Sequence, residues 1–320
     1  MKSDQFWTAV SKALTTLTVM LIVTVVLASG AAAASQYKVL HTFTWASTLY
    51  GGLTFDAAGN LYGTTEGGGA YGYGVVFKLT HDPDGSWTES TLFSFTGGSD
   101  GGNPWDVPTF DAAGNLYGTT TSGGLGYGTV FKLTPNPDAK WTESVVYRFT
   151  GGDDGETPMA GLILDGAGNL YGTTYTGGNY GAGTVFKLTP NLGGSWTQTV
   201  LHHFTGSDGS NIVAGVISDA TGNLYGAATR GGADGSGVVF KLKPNPDGSW
   251  TQSVLHTFAG GSDGTYPDHG SLVLDGHGNL YGATADGGTG SCSFVGLPGC
   301  GAIFELTPNP DGTWTEHMLH

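Results

Sequence analysis

Short runs of alternating apolar and polar residues, each bounded by Gly, Asn, Asp or Pro, fill the chain from about Gly51 onwards. Alternation of this kind predicts half-buried β-strands, and the bounding residues predict tight turns. After the N-terminal region, no segment shows the apolar spacing of an amphipathic helix. The pattern therefore predicts an almost purely β protein.

The strand pattern is written five times at a nearly constant period. The first glycine of the sequence GNLYG recurs at intervals of 55, 54, 54 and 56 residues, at Gly59, Gly114, Gly168, Gly222 and Gly278. A fixed period of this length is typical of a repeat architecture, in which each unit buries its apolar faces against its neighbours. The repetition therefore has a structural reason before it has a functional one.

Each unit predicts four strands, which in the first unit cover Gly52–Asp56, Asn60–Thr65, Gly74–Thr80 and Trp87–Phe95. The Asp and the Gly-Asn pair between the first two strands predict a tight hairpin, in which a carboxylate accepts backbone N–H groups and the glycine has a positive φ. Four antiparallel strands in a unit of about 54 residues form a β-propeller blade. We therefore expect a propeller of five complete blades, with equivalent tryptophans at Trp87, Trp141, Trp196, Trp250 and Trp314.

A spare strand at the N-terminal side complicates the blade count. Tyr37–Phe43 is a copy of a fourth strand, and the last copy ends abruptly at His320. Two arrangements fit these observations: a five-blade ring, or a larger ring whose C-terminal blades follow His320. The abrupt end slightly favours the second arrangement.

Period-two counting predicts how the third and fourth strands pair. Pairing Thr80 with Trp87 across the turn places Lys78 opposite Glu89. The same count gives Lys–Glu or Lys–Gln pairs in the next three units. In the last unit it places Glu305 opposite another glutamate, a like-charge pair.

The first 34 residues form a separate segment. Lys2 and Lys12 precede an apolar run over Ala13–Ala28, and small residues follow up to Ala34. This order predicts a secretory signal peptide over residues 1–34, with the propeller domain over 35–320. An uncleaved membrane anchor is the alternative. Either way the protein is expected to be secreted or held at the cell surface, with membrane attachment only through an uncleaved signal or a missing C-terminal anchor.

Charge and cysteine content narrow the function classes. The formal net charge is −15, with 26 acidic and 11 basic residues, of which only Arg148 and Arg230 are arginines. Nucleic acid is therefore an unsuitable partner, since binding its phosphates requires clustered basic residues. Cys292 and Cys300 are the only cysteines, and in an exported protein they predict a disulfide that closes a short loop.

Two sets of residues are candidates for chemistry. The first set precedes each first strand and is expected at the mouth of the central channel; it comprises Tyr50, Trp105, Asp106, Met159, Val213, Asp268 and His269. Only two of these five positions offer metal ligands, which is few for a metal site or for an acid and base pair. The chain also has no G-x-S-x-G or H-E-x-x-H motif.

The second set lies in the loops that join successive blades. These loops repeat the letters SDG or DDG and carry Asp100, Asp153, Asp154, Asp208 and Asp263. Carboxylates beside the tyrosines of the Gly-rich loops suit sugar binding or Ca²⁺. The alternative is that each Asp only shapes a turn. The histidines at the equivalent outer-strand position (His41, His202, His256 and His320) are interpreted as surface residues.

The interblade and Gly-rich loops are expected on one face of the propeller. Trp105, Glu156, Asn211 and Tyr266 are taken as equivalent but chemically different positions in these loops. The opposite face carries turns whose Asp, Asn, Gly and Pro are already explained by backbone geometry. Because recognition usually lies in variable loops on a fixed scaffold, any ligand is expected on the first face.

The repeat resembles known propeller families. An apolar strand followed by D-x-x-G-N-L-Y is similar to NHL and gluconolactonase-like propellers. The longer pattern GNLYGTT, a Gly pair and then G-x-G-T-V-F-K-L resembles a bacterial tandem-repeat family called GloVer-containing, from about Gly51 to the end. That family implies a propeller but no particular chemistry, whereas the gluconolactonase-like resemblance implies a divalent cation over the channel.

The main functional hypothesis is a secreted, non-catalytic propeller that binds an extracellular glycan or protein. Its basis is a set of near-uniform repeats without catalytic residues that break the symmetry. The alternative is a metal-dependent lactonase- or lyase-like enzyme that acts at the channel mouth through Asp106 and Asp268.

Overall fold

The computed structural model describes residues 39–43, 48–268, 270–290, 293–294 and 297–319. By its internal contacts the chain divides into two compact units, Met1–Thr42 and Phe43–His320. The second unit carries all the strands found among the described residues. The predicted signal peptide lies outside the described residues, and so does Cys292. Within the described part, no helix is long and apolar enough to cross a membrane.

The second unit is a β-propeller of five blades, each with four antiparallel strands in sequence order. The first strands are Thr54–Phe55, Thr109–Phe110, Ile163–Leu164, Ile217–Ser218 and Val273–Leu274. The second strands are Leu61–Thr65, Leu116–Ser122, Leu170–Thr174, Leu224–Ala228 and Leu280–Thr284. The third strands are Val75–His81, Thr129–Pro135, Thr184–Pro190, Val238–Pro244 and Ala302–Pro308. The fourth strands are Trp87–Ser94, Trp141–Arg148, Trp196–His203, Trp250–Thr257 and Trp314–Met318.

The predicted all-β fold and its five four-stranded units are confirmed. Among the described residues the one helical element is a single 3₁₀ turn at Gly261–Asp263. Three short strands were not predicted. Gly102–Pro104 extends the sheet of blade 2 by pairing with its second strand, and Ser293–Phe294 pairs with Leu297–Pro298 in the insertion of the last blade.

The aspartate of the D-x-x-G-N-L-Y motif closes the hairpin between the first two strands. In blade 3, Oδ1 of Asp165 accepts the backbone N–H groups of Ala167 and Asn169, both at 2.9 Å. Oδ2 accepts the side-chain amide of Asn169 at 2.7 Å and the hydroxyl of Tyr171 at 3.1 Å. The same four bonds recur in the other blades, which explains why these residue types are repeated.

The second glycine of GNLYG is fixed by packing. A Cβ on Gly172 would lie 2.6 Å from the ring of Phe186 and 2.7 Å from Leu162. The corresponding glycine of every other blade is equally close to the phenylalanine of its third strand. A side chain at this position would force the strands apart, so the second strand keeps glycine in all five units.

Aromatic residues form the main apolar contacts between neighbouring blades. In the first four blades the phenylalanine that follows the fourth strand is fully buried and meets a third-strand phenylalanine of the next blade; Phe204 and Phe240, for example, have ring centroids 5.0 Å apart. Tyr171 likewise meets Trp250 of the next blade at 6.4 Å. Each boundary therefore repeats the same apolar contacts, and the predicted burial of the motif between blades is confirmed.

The predicted pairing of the third and fourth strands is wrong by one residue. His81 pairs with Trp87, because the turn is a five-residue loop closed by a hydrogen bond from Asp82 N to Ser86 O. Lys78 therefore faces Ser90 rather than a glutamate. In the last blade Glu305 faces His317, so the expected like-charge pair does not exist.

A β-bulge in the fourth strand reverses the side-chain alternation. In blade 4, Val239 pairs with His256 and Phe240 pairs with Val254, so Leu255 is the extra residue. The same shift occurs in the first three blades. Without the bulge Gln252 and His256 would point to the same side. With it, Gln252 contacts blade 3 whereas His256 contacts blade 5.

Candidate ligand-binding face and interblade polar sites

The interblade loops and the Gly-rich loops lie together, as predicted. The loop that leads into each next blade bonds to the Gly-rich loop of that blade, for example from Gly124 N to Gly98 O at 2.8 Å and from Gly178 N to Gly152 O at 2.9 Å. The ring of Tyr73 lies against the backbone of Gly97. These contacts join the loops of neighbouring blades into one continuous surface.

The predicted carboxylates of the interblade loops shape their own loops. Oδ2 of Asp154 accepts Thr150 N at 2.9 Å, and Oδ1 accepts the Thr150 hydroxyl at 2.6 Å. Asp100 and Asp208 make the corresponding bonds to Thr96 and Thr205. Asp263 accepts the backbone N–H of Ala259 instead.

These carboxylates stand at four successive blade boundaries rather than around one centre. They therefore do not converge on a shared Ca²⁺ site among the described residues. Asp153 is exposed next to Asp154, and Asp268 is half-buried ahead of the last blade's first strand. His269 lies outside the described residues.

The expected equivalence of four loop positions needs a correction. The residues that share one conformation are Asn103, Thr157, Asn211 and Tyr266, with φ between 54° and 57°. Each donates its backbone N–H to a carbonyl of the preceding blade's Gly-rich loop. Trp105 and Glu156 are therefore not equivalent to the other two predicted residues, because the loops differ in length.

A cavity of about 300 Å³ lies where the chain enters the first strands. Its lining comes from blades 1, 2, 4 and 5 and comprises Tyr50, Gly52, Trp105, Asp106, Val107, Val213, Ala214, Gly270 and Ser271. Four of the residues that were predicted at the channel mouth are thus brought together. The rings of Tyr50 and Trp105 are stacked, with centroids 3.8 Å apart and planes within 5°.

The carboxylate of Asp106 is held by backbone. Its Oδ2 accepts the N–H of Gly161, in the next blade, at 2.7 Å, and its Oδ1 accepts Val107 N at 2.6 Å. Its carbonyl oxygen also accepts the hydroxyl of Thr64 at 2.9 Å. Asp106 therefore links three neighbouring blades at the cavity wall.

In blades 2 to 5, the polar residue two positions after the repeated tryptophan enters the boundary with the preceding blade. Gln198 donates its amide to the carbonyl of Asp154 at 3.2 Å, and Gln252 donates to the carbonyl of Asp208 at 3.4 Å. Sequence reasoning paired these positions with the lysines of the third strands, because the predicted register was off by one residue. The structure places them at the interface between blades. There the type of side chain decides whether the buried polar atoms of the boundary form hydrogen bonds.

Glu143 occupies this position at the boundary of blades 1 and 2. Its Oε1 is buried without a hydrogen-bond partner among the described residues. Burial and the nearby Asp100 carboxylate raise the pKa of Glu143 to about 7, although Arg148 acts in the opposite direction. A glutamate here is therefore less well accommodated than the glutamines of the next two boundaries.

The interpretation of the outer-strand histidines as surface residues is wrong for His202 and His256. Their side chains are only 20% and 19% exposed, because the bulge turns them towards the next blade. His202 Nε2 lies 2.8 Å from Oδ2 of Asp208. His256 Nε2 lies 3.4 Å from Oδ1 of Asp263 and 3.3 Å from Oε1 of Glu316.

Burial perturbs the pKa values at this last boundary. Burial lowers the pKa of His256, against the opposing effect of Asp263. Burial and the Asp263 carboxylate raise the pKa of Glu316 to about 8. Sequence reasoning noted Glu316 only as a like-charge partner of Glu305; the signal for its place at the boundary is that blade 5 has Glu where blades 3 and 4 have Gln.

Comparison with known protein families identifies the same repeat in this chain. The family model for the Gloeobacter/Verrucomicrobia repeat matches residues 29–197 and again residues 195–320. The chain belongs to the Gloeobacter/Verrucomicrobia repeat family. This membership confirms the resemblance seen in the five repeated units. No curated protein matches the sequence of this family member.

Several solved structures are similar to this Gloeobacter/Verrucomicrobia repeat protein. A protein of unknown function from Dyadobacter fermentans has a TM-score of 0.48 and 12% identity, over 85% of this chain and 82% of that chain. An α-L-arabinofuranosidase from Clostridium thermocellum has a TM-score of 0.44 and 12% identity, over 82% and 91%. An α-L-arabinanase from Cellvibrio cellulosa, complexed with arabinohexaose, has a TM-score of 0.42 and 14% identity, over 85% and 95%. At these scores we take no functional argument from them.

Proposed function

We propose that this protein is an exported, non-catalytic propeller that binds an extracellular glycan on the face formed by the interblade and Gly-rich loops. The observation that carries the proposal is the stacked pair of Tyr50 and Trp105 on the wall of the mouth cavity. Flat aromatic rings in a concave site offer the apolar surface against which a sugar ring packs, while neighbouring polar groups fix its orientation.

Exposed tyrosines extend this surface beyond the cavity. Tyr71, Tyr73, Tyr127 and Tyr180 of the Gly-rich loops are 40% to 66% exposed. A tyrosine offers an apolar ring and a polar hydroxyl group together, a combination that suits contact with a sugar. An extended glycan can contact both the cavity and these rings, which favours a chain of sugar units over a single small molecule.

Both carboxylate oxygens of Asp106 already accept hydrogen bonds from the backbone, which supports binding rather than catalysis. Asp106 has the one carboxylate among the cavity-lining residues. General acid and base catalysis would require a second ionisable group within reach of the substrate. The lactonase- or lyase-like alternative has no comparable observation in its favour among the described residues.

Export remains part of the proposal. It is supported by the positively charged start, apolar middle and small-residue end of residues 1–34. A disulfide between Cys292 and Cys300 would be stable in the oxidising surroundings that an exported protein meets, so the cysteine pair is consistent with export.

Binding of the purified protein to an array of soluble oligosaccharides tests the proposal. We expect saturable binding to at least one oligosaccharide, without cleavage of it. The same preparation is assayed against lactones and polysaccharides, with and without EDTA. Metal-dependent turnover would overturn the non-catalytic function, and the absence of binding to any glycan while a protein ligand binds would overturn the choice of ligand class.

A further inference from the structure

We propose that His256, Asp263 and Glu316 form a binding site for one divalent transition-metal ion, with Zn²⁺ the best match, at the boundary of blades 4 and 5. The three residues come from different segments: a fourth strand, the loop after it and the fourth strand of the next blade. Their ligand atoms all lie within 4.8 Å of one another. None of them lines the mouth cavity, so this site does not depend on the proposed glycan binding.

The distances suit ligands around a single ion. His256 Nε2 is 3.4 Å from Oδ1 of Asp263 and 3.3 Å from Oε1 of Glu316. Two ligands bound to Zn²⁺ at about 2.0 to 2.1 Å with a tetrahedral angle between them are about 3.3 to 3.4 Å apart. The two separations are therefore those expected for neighbouring corners of a tetrahedral site.

Two of the ligand atoms lack a hydrogen bond. Nε2 of His256 and Oε1 of Glu316 are both buried and lie 3.3 Å apart, but neither this contact nor any other within the part of the chain that the structure describes has the geometry of a hydrogen bond. A buried polar atom without a partner is costly, so such atoms usually mark a missing partner. An ion between the two atoms would satisfy both of them.

The boundary of blades 3 and 4 has the same arrangement of backbone and histidine, but its polar side chains are hydrogen-bonded. There His202 bonds to Asp208 at 2.8 Å, and Gln252 donates its amide to the Asp208 carbonyl. The amide of a glutamine can make that bond, whereas an ionised carboxylate, the form that binds a metal, has no proton to donate to a carbonyl. Exchange of this glutamine for Glu316 thus leaves an acceptor beside the histidine and the aspartate, which is the composition of a metal site.

The ligand set selects the class of metal. One imidazole nitrogen and two carboxylate oxygens suit Zn²⁺ or a similar first-row ion, whereas Ca²⁺ and Mg²⁺ take oxygen ligands. With three protein ligands the ion would keep a position for water. Bound there, it would connect blades 4 and 5 and stabilise their interface.

Titration calorimetry with Zn²⁺ on EDTA-treated full-length protein tests the site, with Co²⁺ absorbance as a second readout of inner-sphere coordination. We expect one equivalent of Zn²⁺ to bind the wild type and to raise its melting temperature. Glu316→Gln should weaken binding at least about tenfold, equivalent to 1.4 kcal/mol, and abolish the thermal shift. This variant is expected to fold, because Gln252 occupies the same position one blade earlier.

The converse variant makes the test sharper. Gln252→Glu gives the boundary of blades 3 and 4 the same three ligand types, so we expect a second equivalent of Zn²⁺ to bind. Lack of stoichiometric Zn²⁺ binding by the wild type would overturn the proposal. Equal affinity in Glu316→Gln, or no second equivalent in a folded Gln252→Glu protein, would show that the glutamate is not a ligand.

Discussion

His256 Nε2 and Glu316 Oε1 lie 3.3 Å apart although they belong to different blades. At the preceding boundary the position of Glu316 is taken by Gln252, which bonds to a backbone carbonyl instead. The backbone arrangement is thus the same at successive boundaries. The exchange of one side chain changes which polar contacts the boundary can form. Differences of this kind, rather than the invariant motif, give the boundaries their separate properties.

Replacing Glu143 by Gln should change stability in a pH-dependent way. Its pKa is raised from 4.5 to about 7 in the folded protein, so the unfolded chain loses this proton first as the pH rises. The wild type therefore loses stability between about pH 4.5 and 7, and the full penalty is present above pH 7. Glu143→Gln should be more stable at pH 8 by about 1 kcal/mol after allowance for solvent screening.

Urea unfolding of both proteins at pH 4 and pH 8 measures this effect. The advantage of Glu143→Gln should grow between the two pH values. Gln198→Glu is the matched converse and should create a similar alkaline penalty at the next boundary. A difference between Glu143→Gln and the wild type that is the same at both pH values would contradict the assignment.

Removing a hairpin aspartate should destabilise its blade. Asp165→Ala deletes the acceptor of two backbone N–H groups, one amide and one hydroxyl, so we expect a loss of about 2 to 3 kcal/mol. Asp138→Ala is the control, because Asp138 is exposed in a turn, where it accepts a 3.3 Å bond from Lys140 N and makes a solvent-exposed ion pair with Lys140 Nζ at 3.7 Å. Chemical denaturation compares the two; equal effects would mean that the hairpin network contributes little.

The second glycine of the motif should tolerate no side chain. Gly172→Ala places a methyl group 2.6 Å from Phe186, and the overpacking should cost about 1 to 3 kcal/mol. Gly166→Ala in the same blade is the control, because its Cβ would meet no atom within 4 Å. Thermal unfolding of the two variants should differ clearly, whereas equal melting temperatures would refute the packing argument.

The cysteine pair is expected to be oxidised in the exported protein. Cys292 lies outside the described residues, so the disulfide stays a prediction from the sequence. Labelling of free thiols before and after reduction measures it, and a Cys292→Ala/Cys300→Ala variant gives the background. Two reactive thiols in the native, exported protein would rule the bond out.

The blades could be predicted well from the sequence because the period of the sequence repeat is also the period of the packing contacts. Each GNLYG marks a second strand, and the tryptophan at the equivalent position of each unit begins a fourth strand, as Trp196 and Trp250 do. Repeated letters report repeated contacts, so the unit boundaries and the hairpin geometry could be read directly. The residues Tyr50 and Trp105, predicted at the channel mouth because they precede first strands, line one cavity in the structure.

The polar contacts between blades 4 and 5 could not be predicted by counting alternate residues along the strands. Alternation with period two fails at the bulge around Leu255, which turns His256 towards blade 5. The one-residue error at the turn also put Glu316 on the wrong side of its strand. Neither irregularity has a distinct residue signature, because a bulge depends on how two strands pair rather than on the composition of one strand.

The central claim is that recognition takes place at the mouth cavity of the loop face. Calorimetry with the tightest-binding soluble oligosaccharide of the array should show about tenfold weaker binding for Trp105→Ala and for Tyr50→Ala, as expected for a lost aromatic contact. Leu192→Ala, which alters a fully exposed residue in a turn of the opposite face, should bind like the wild type. Unchanged affinity in folded Trp105→Ala and Tyr50→Ala proteins, with loss in Leu192→Ala, would contradict the account and place the site on the other face.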